Sequence, residues 1–121
     1  MRITLPFPPS VNTYWRRNGH IYFISKQGKQ FRKDVLAIVA GEYGMSDKPF
    51  FTGNVEVVMR LFPPTKRKSD VDNFPKAVFD ALAKANVFED DCQVKRMTVE
   101  MHEKLEGGAC TVEISTLTPT A

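Results

Sequence analysis

Two aspartates separated by one residue, with a lysine four residues further on, form the part of this sequence best suited to chemistry. They are Asp70, Asp72 and Lys76, in the segment KRKSDVDNFPK at residues 66–76. In an extended chain, residues i and i+2 point to the same side, so both carboxylates can approach one cation. Mg²⁺ and Mn²⁺ take oxygen ligands and usually bind a few carboxylates together with substrate phosphate oxygens. The spacing therefore predicts a site for one of these cations and disfavours zinc.

A structural interpretation also fits these residues. Asp72 could cap the N-terminus of a helix that has Pro75 in its first turn, and Asp70 could be a solvated loop residue. Lys76 in that turn would oppose the helix dipole by about 0.3 to 1 kcal/mol unless an anion lies nearby. A bound phosphate would supply the anion, and so would an ion pair with Asp80, four residues further on.

Three consecutive acids at residues 89–91 form a second acidic group, a pattern typical of a solvated loop. Asp91 serves a metal only if the fold brings it to Asp70 and Asp72. A helix from Asp72 to Ala85 would span about 20 Å, and the chain from Ala85 to Asp91 covers about 20 Å only when fully extended. Antiparallel strands, a shorter or tilted helix, or a site shared between two chains would each ease the return, and the sequence leaves these alternatives open.

Basic residues gather in two places. Arg16 and Arg17 follow Tyr14 and Trp15, and the basic loop, Lys66, Arg67 and Lys68, precedes the aspartates. Such residues can contact DNA phosphates, which positions DNA without reading its sequence. The two aromatic side chains could stack on bases, although packing in the core is the commoner use of aromatic residues. The basic loop could equally be an ordinary solvated loop. A net charge of +3 permits an acidic partner without requiring one.

Length and composition indicate one small domain over residues 1–121, because two domains would each be too small for a stable core. No apolar run is long enough to cross a bilayer, and prolines near the N-terminus replace the apolar region of a signal peptide. We therefore expect a cytoplasmic protein. Cys92 and Cys110 are expected to be reduced thiols, and His20 and His102 do not complete a zinc site.

Apolar periodicity predicts a mixed α/β (α+β) fold, with one mainly antiparallel sheet covered by two main helices. The predicted strands are Arg2 to Phe7, Ile21 to Ile24, and Val55 to Leu61 with Pro63 and Pro64 after it. The predicted helices run from an N-cap at Ser25 to a stop at Gly44, and over residues 73–85. The last two strands, around Val99 and Val112, are predicted to form a hairpin that turns at Gly107 and Gly108.

The sequence as a whole resembles the RusA family of crossover junction endonucleases. The resemblance lies in the opening ITLPFPPSVN at residues 3–12, in DVDN at residues 70–73 with Lys76 and FDAL at residues 79–82, and in DDCQV at residues 90–94. These blocks span nearly the whole chain, and the family's length and order of elements match as well.

The resemblance implies that Asp70, Asp72 and Asp91 are the metal-binding catalytic carboxylates and that Lys76 is the catalytic lysine. It also implies that a DNA-contacting segment falls on Ser10, Val11, Asn12 and Thr13, where Val11 and Thr13 replace the polar and basic residues expected there. Arg16, Arg17, Lys66, Arg67 and Lys68 complete the predicted DNA contacts.

The resulting hypothesis is a Mg²⁺-dependent (Mn²⁺ possible) endodeoxyribonuclease, from a bacterium or bacteriophage, that resolves four-way Holliday junctions. Because each chain carries one set of proposed ligands, paired cuts predict a homodimer. The alternatives are a metal-dependent nuclease for flaps or forks, which uses the same site, and a DNA-binding module whose aspartates are only structural. Cleavage of branched DNA with and without Mg²⁺ distinguishes the three.

Overall fold

A strand with strictly alternating burial forms the centre of the sheet. This strand, β4 (Val55–Phe62), buries Val55, Val57, Met59 and Leu61 completely and leaves the residues between them partly exposed. Side chains alternate between the two faces of a strand, so one face of β4 meets the core and the other meets solvent. The predicted strand is confirmed at this position.

The computed structural model describes residues 1–118. Besides β4, its elements are β1 (Arg2–Leu5), α1 (Val11–Tyr14), β2 (Trp15–Asn18), β3 (Ile21–Ile24), α2 (Lys26–Tyr43), α3 (Pro75–Lys84), β5 (Val94–Met101) and β6 (Ala109–Thr116). β1 stops before Pro6, two residues earlier than predicted. The predicted strand at Ile21–Ile24 pairs with β2, which the sequence did not predict, in a separate two-stranded ribbon.

The predicted hairpin of the last two strands is wrong. The order in the four-stranded sheet is β1-β6-β4-β5, so β4 lies between β5 and β6. Met59 of β4 faces Val99 in a parallel pairing with β5 and Val112 in an antiparallel pairing with β6. Alternating segments joined by glycines have the same local pattern whether or not a third strand separates them. The sheet is mainly antiparallel, as predicted, with one parallel pair.

Both main helices pack on the buried face of the sheet. Ser25 caps α2 as predicted, because its hydroxyl oxygen accepts a hydrogen bond from the Gly28 N–H at 3.0 Å. α2 ends at Gly44, whose φ of 82° lies in the left-handed region that favours glycine. α3 begins two residues later than predicted, since residues 71–73 form a 3₁₀ turn before it. The fold class predicted from the sequence is confirmed.

β5 occupies an edge of the sheet and is more exposed than its alternating pattern predicts. Val99 and Met101 pack against the core, but Met97 is 55% exposed. No strand in the described part of the chain covers the outer side of β5.

Cys92 and Cys110 are free thiols, and burial raises the pKa of Cys110 to about 12. Within residues 1–118, no helix has the length and apolar character needed to span a membrane.

Candidate active site

The segment that carries Asp70, Asp72 and Lys76 connects β4 to α3. After β4 the chain passes through an exposed loop, forms the 3₁₀ turn at residues 71–73 and enters α3 at Pro75. The inner side of α3 is anchored by fully buried residues, which are Ala77, Val78, Ala81 and Leu82. This packing leaves both aspartates and the lysine exposed to solvent.

Asp72 does not cap α3, contrary to the structural interpretation of the sequence. Phe74 holds the N-cap position of α3, and no side chain in the described part of the chain caps it. Asp70 precedes the 3₁₀ turn, and it accepts a hydrogen bond from Asn73 through its backbone carbonyl and not through its carboxylate. Neither carboxylate therefore caps a helix.

Lys76 pairs with Asp91 and not with Asp80. Its Nζ donates a hydrogen bond to Oδ2 of Asp91 at 2.6 Å. This hydrogen bond is the largest cause that raises the pKa of Lys76, and the negative charges of Asp91, Asp80 and Asp90 add to it. The alternative in which Lys76 forms an ion pair with Asp80 is not what the structure contains.

Asp91 returns to Lys76 because α3 is short. β5 runs parallel to β4, so the chain must travel back along α3, whose ten residues span about 15 Å.

Asp72 and Lys76 line one apolar cavity of about 400 Å³, whereas Asp70 lines a different one. Among residues 1–118, no three His, Cys, Asp or Glu side chains gather into a group that could hold a metal ion.

The turn that presents Asp91 is held by Gln93, a residue that the sequence did not predict to belong to the site. Gln93 Oε1 accepts hydrogen bonds from the N–H groups of Glu89 and Asp90 at 2.8 and 3.1 Å. Its Nε2 donates to the carbonyls of Phe51 and Gly53 at 3.0 and 2.8 Å.

Asp90 and Gln93 together form a capping box at this turn. The Asp90 carboxylate accepts a hydrogen bond from the Cys92 N–H at 2.9 Å, and this bond lowers the pKa of Asp90. The spacing Asp90-x-x-Gln93 is that of a capping box, so the sequence did contain a signal for it.

The basic loop and Asp70 line the same cavity. This cavity has a volume of about 1020 Å³. Its lining includes Ser10, Lys66, Arg67, Lys68, Asp70 and Lys104. Two predicted DNA-contacting segments, the basic loop and Ser10, are thus brought together beside one of the predicted metal ligands.

The other predicted DNA contacts lie around the β2–β3 ribbon. Val11, Asn12, Arg16 and Arg17 line a cavity of about 280 Å³. Arg16 and Arg17 are exposed on β2. Thr13 is partly occupied by local structure, because its hydroxyl lies 3.1 Å from that of Ser10 and its carbonyl accepts a hydrogen bond from Ser25.

Tyr14 packs in the core and is not available to stack on bases. It is fully buried, and its hydroxyl donates a hydrogen bond to Asp80. Arg32 completes the network with hydrogen bonds of 2.9 Å to both Tyr14 and Asp80. Burial, followed by the hydrogen bond to Asp80, raises the pKa of Tyr14. This network ties α1, α2 and α3 together, and no sequence spacing points to it because its members are far apart in the chain.

Comparison with known proteins gives consistent matches along nearly the whole chain. The profile of the family described as Endodeoxyribonuclease RusA matches residues 6–115. A protein of Enterobacteria phage HK97 named crossover junction endodeoxyribonuclease rusA is 35% identical over 116 residues, which cover 96% of this chain and 94% of the phage protein. The proteins of the same name from Enterobacteria phage 82 and Escherichia coli (strain K12) are 35% and 34% identical, and each match covers 93% of this chain and 92% of the relative.

Proposed function

Because this chain belongs to the endodeoxyribonuclease RusA family, we propose that it resolves Holliday junctions by hydrolysing phosphodiester bonds during DNA recombination and repair. Its relatives come from phages and Escherichia coli, so the proposed setting is the cytoplasm of a bacterial or phage-infected cell. The observation that carries the proposal is the 2.6 Å contact between Lys76 and Asp91, which joins two separate segments of the proposed site.

We propose that Asp70, Asp72 and Asp91 hold Mg²⁺, or Mn²⁺ in its place. The donor chemistry fits, since all three side chains offer oxygen ligands and none caps a helix. Mg²⁺ is commonly held by one or two carboxylates together with substrate phosphates, so a preformed group of three carboxylates is not required. When bound, the cation would neutralise the scissile phosphate and supply an activated water.

Lys76 would supply fixed positive charge during cleavage. Lys76 lies in the first turn of α3 and its side chain is 58% exposed, so a DNA phosphate can reach it. We propose that it donates a hydrogen bond to the scissile phosphate or to the departing oxygen, where negative charge develops. In the absence of DNA, Asp91 accepts a hydrogen bond from the ammonium of Lys76, and the same bond raises the pKa of Lys76.

The cavity at the basic loop is the proposed path of the DNA backbone. Lys66, Arg67 and Lys68 line it beside Asp70, so phosphates bound by these cations would lie next to the proposed metal ligands. Contacts of this kind position the DNA without reading its sequence. Selection of branched DNA then depends on the shape of the assembly.

We further propose a homodimer that forms through β5. This edge strand exposes Met97, which lines the apolar cavity near Asp72 and Lys76 together with Val71, itself 38% exposed. Two protomers related by a twofold axis would match the pseudosymmetry of a four-way junction and make one cut each. Light scattering should give the mass of a dimer, and a monomer that makes paired nicks in one binding event would contradict this proposal.

The decisive experiment incubates the protein with a labelled four-way junction, a flap and a matched linear duplex, with Mg²⁺ and with EDTA. We expect paired, symmetric nicks in the junction that require Mg²⁺. Preferred cutting of the flap would indicate a nuclease for other branched DNA. Binding without cutting under both conditions would indicate a non-catalytic DNA-binding module.

A further inference from the structure

The β2–β3 ribbon presents three consecutive apolar side chains to solvent. Ile21 is 69% exposed, Tyr22 is 68% exposed and Phe23 is 47% exposed. Cross-strand pairing places Tyr22 opposite Arg17 and Phe23 opposite Arg16. Each face of the ribbon therefore carries an aromatic ring beside an arginine, and Arg17 lies over the Tyr22 ring at 5.6 Å from its centroid.

The base of the ribbon is firmly attached, which makes the exposure of its tip a feature of the fold. Tyr14 before β2 and Ser25 after β3 are both buried, and the Ser25 N–H donates to the Tyr14 carbonyl at 2.9 Å. Gly28 of α2 lies so close to this base that an added Cβ would meet Ile24 at 2.6 Å. The turn at the tip uses Gly19, whose φ of 64° favours glycine.

The charge around the ribbon indicates a polyanionic occupant. No Asp or Glu occurs in the chain before Asp34, so the charge of the ribbon comes from Arg16 and Arg17. Two such ribbons would repel each other. The ribbon is also continuous with the proposed DNA path, because Ser10 lines the cavity at the basic loop and stands immediately before α1, which leads into β2.

We propose that the β2–β3 ribbon is a second DNA contact, in which Tyr22 and Phe23 stack on bases left unpaired or unstacked at the branch point. Arg16 and Arg17 would contact the flanking phosphates. A two-stranded ribbon fits a groove of duplex DNA, and apolar side chains are used elsewhere as wedges between base steps. Stacking suits a site that selects structure over sequence, because every base has a face on which a ring can stack.

This inference rests on the proposed function, since it takes branched DNA as the substrate. Its test measures binding in EDTA, with 2-aminopurine placed at the crossover of a four-way junction and in a matched linear duplex. We expect the wild-type protein to lower the fluorescence of the junction probe, because stacking on an aromatic ring quenches an unstacked 2-aminopurine. Tyr22→Ala and Phe23→Ala should each weaken junction binding roughly 5- to 100-fold and change duplex binding by less than about twofold.

Two matched variants make the test specific. Tyr22→Phe keeps the ring and should retain both junction binding and the fluorescence decrease. Met45→Ala removes a side chain that is 82% exposed outside the ribbon and should also bind as wild type does. Unchanged junction affinity and fluorescence in Tyr22→Ala would overturn the inference.

The remaining outcomes separate this inference from the function on which it rests. If Tyr22→Ala halves the particle mass in light scattering, the ribbon is a subunit contact and the inference fails. If wild-type protein binds the junction no more tightly than the duplex, the ribbon inference fails, and the proposed function fails as well if the junction stays uncut in Mg²⁺. Ring-dependent junction binding without cutting in Mg²⁺ supports the ribbon contact and refutes the proposed nuclease activity.

Discussion

The ammonium of Lys76 and the carboxylate of Asp91 meet at 2.6 Å across fifteen residues of sequence. Their contact joins the first turn of α3 to the turn before β5. The two side chains are 58% and 33% exposed, so this ion pair contributes about 0 to 1 kcal/mol to stability. We therefore expect the Lys76–Asp91 pair to contribute to cleavage and little to the stability of the fold.

Replacing Lys76 with Met should slow cleavage and leave the fold intact. Loss of one positive group that faces developing negative charge typically slows catalysis about 10²- to 10³-fold. Single-turnover cleavage in Mg²⁺ measures the rate, and a thermal melt should shift by no more than a few degrees. Lys84→Met, in the last turn of the same helix, is the matched control and should cut as wild type does. A Lys76→Met protein that cuts normally contradicts the proposed role.

The stabilising effect of the Lys76–Asp91 pair should disappear only at high pH. Pairing raises the pKa of Lys76 above its ordinary value of 10.5. The contribution is thus fully present below that value and is lost as the pH rises through the raised pKa. The difference in melting temperature between wild type and Lys76→Met should stay constant from about pH 6 to 9 and shrink above about pH 10.5. A difference that vanishes near neutral pH would show that another group controls the contact.

Asp70→Asn, Asp72→Asn and Asp91→Asn should each nearly abolish cleavage while junction binding persists. An amide does not ligate Mg²⁺ as a carboxylate does, and cleavage slows about tenfold for each 1.4 kcal/mol of lost transition-state stabilisation. Removing a negative charge near the phosphates should preserve or strengthen binding in EDTA. Single-turnover cleavage, a gel shift in EDTA and a thermal melt are measured together. Retained cleavage by well-folded Asp72→Asn would refute its catalytic assignment.

Gln93→Ala should lower cleavage by releasing the turn that carries Asp91. The substitution removes four hydrogen bonds and leaves the carbonyls of Phe51 and Gly53 without this partner. At about 0.5 to 1.5 kcal/mol for each bond, a melting temperature lowered by several degrees is expected as well. Because Gln93 acts through Asp91, the cleavage rate at saturating junction should fall while junction affinity stays within about twofold.

The matched control for Gln93→Ala is Gln30→Ala. Gln30 is an exposed glutamine of α2 whose Nε2 donates to Asp34 at 2.9 Å. The Gln30→Ala variant should have the melting temperature and the cleavage rate of the wild type. If both glutamine variants lose the same stability and activity, the capping box at Asp90 and Gln93 has no special part in positioning Asp91.

The double variant Arg67→Ala and Lys68→Ala should bind DNA with a weaker dependence on salt. Each lost phosphate contact flattens the slope of log affinity against log salt by roughly 0.9. Gel shifts at several salt concentrations in EDTA give the slope. Lys48→Ala alters an exposed lysine outside the cavity at the basic loop and should leave the slope unchanged. An unaltered slope in the double variant would mean that the loop does not touch DNA.

Short-range patterns in the sequence predicted much of the local structure. The alternation in β4, the cap at Ser25 and the stop at Gly44 depend on neighbouring residues, so they could be predicted from spacing alone. The proximity of Asp70, Asp72 and Lys76 along the chain likewise marked a candidate site before any fold was known. The spacing of Asp90 and Gln93 also indicated a capping box, although only the structure showed that this turn positions Asp91.

The sequence by itself determined the type of each main element, the donor chemistry of the candidate site and the family to which the chain belongs, because these depend on residue types and local spacing. Only the tertiary structure decided that β4 separates β5 from β6, that Lys76 meets Asp91 and not Asp80, and that Tyr14 is buried with Asp80 and Arg32. These outcomes depend on how one face of the sheet and two helices bury their apolar residues together in a single core. No local pattern along the chain encodes that arrangement.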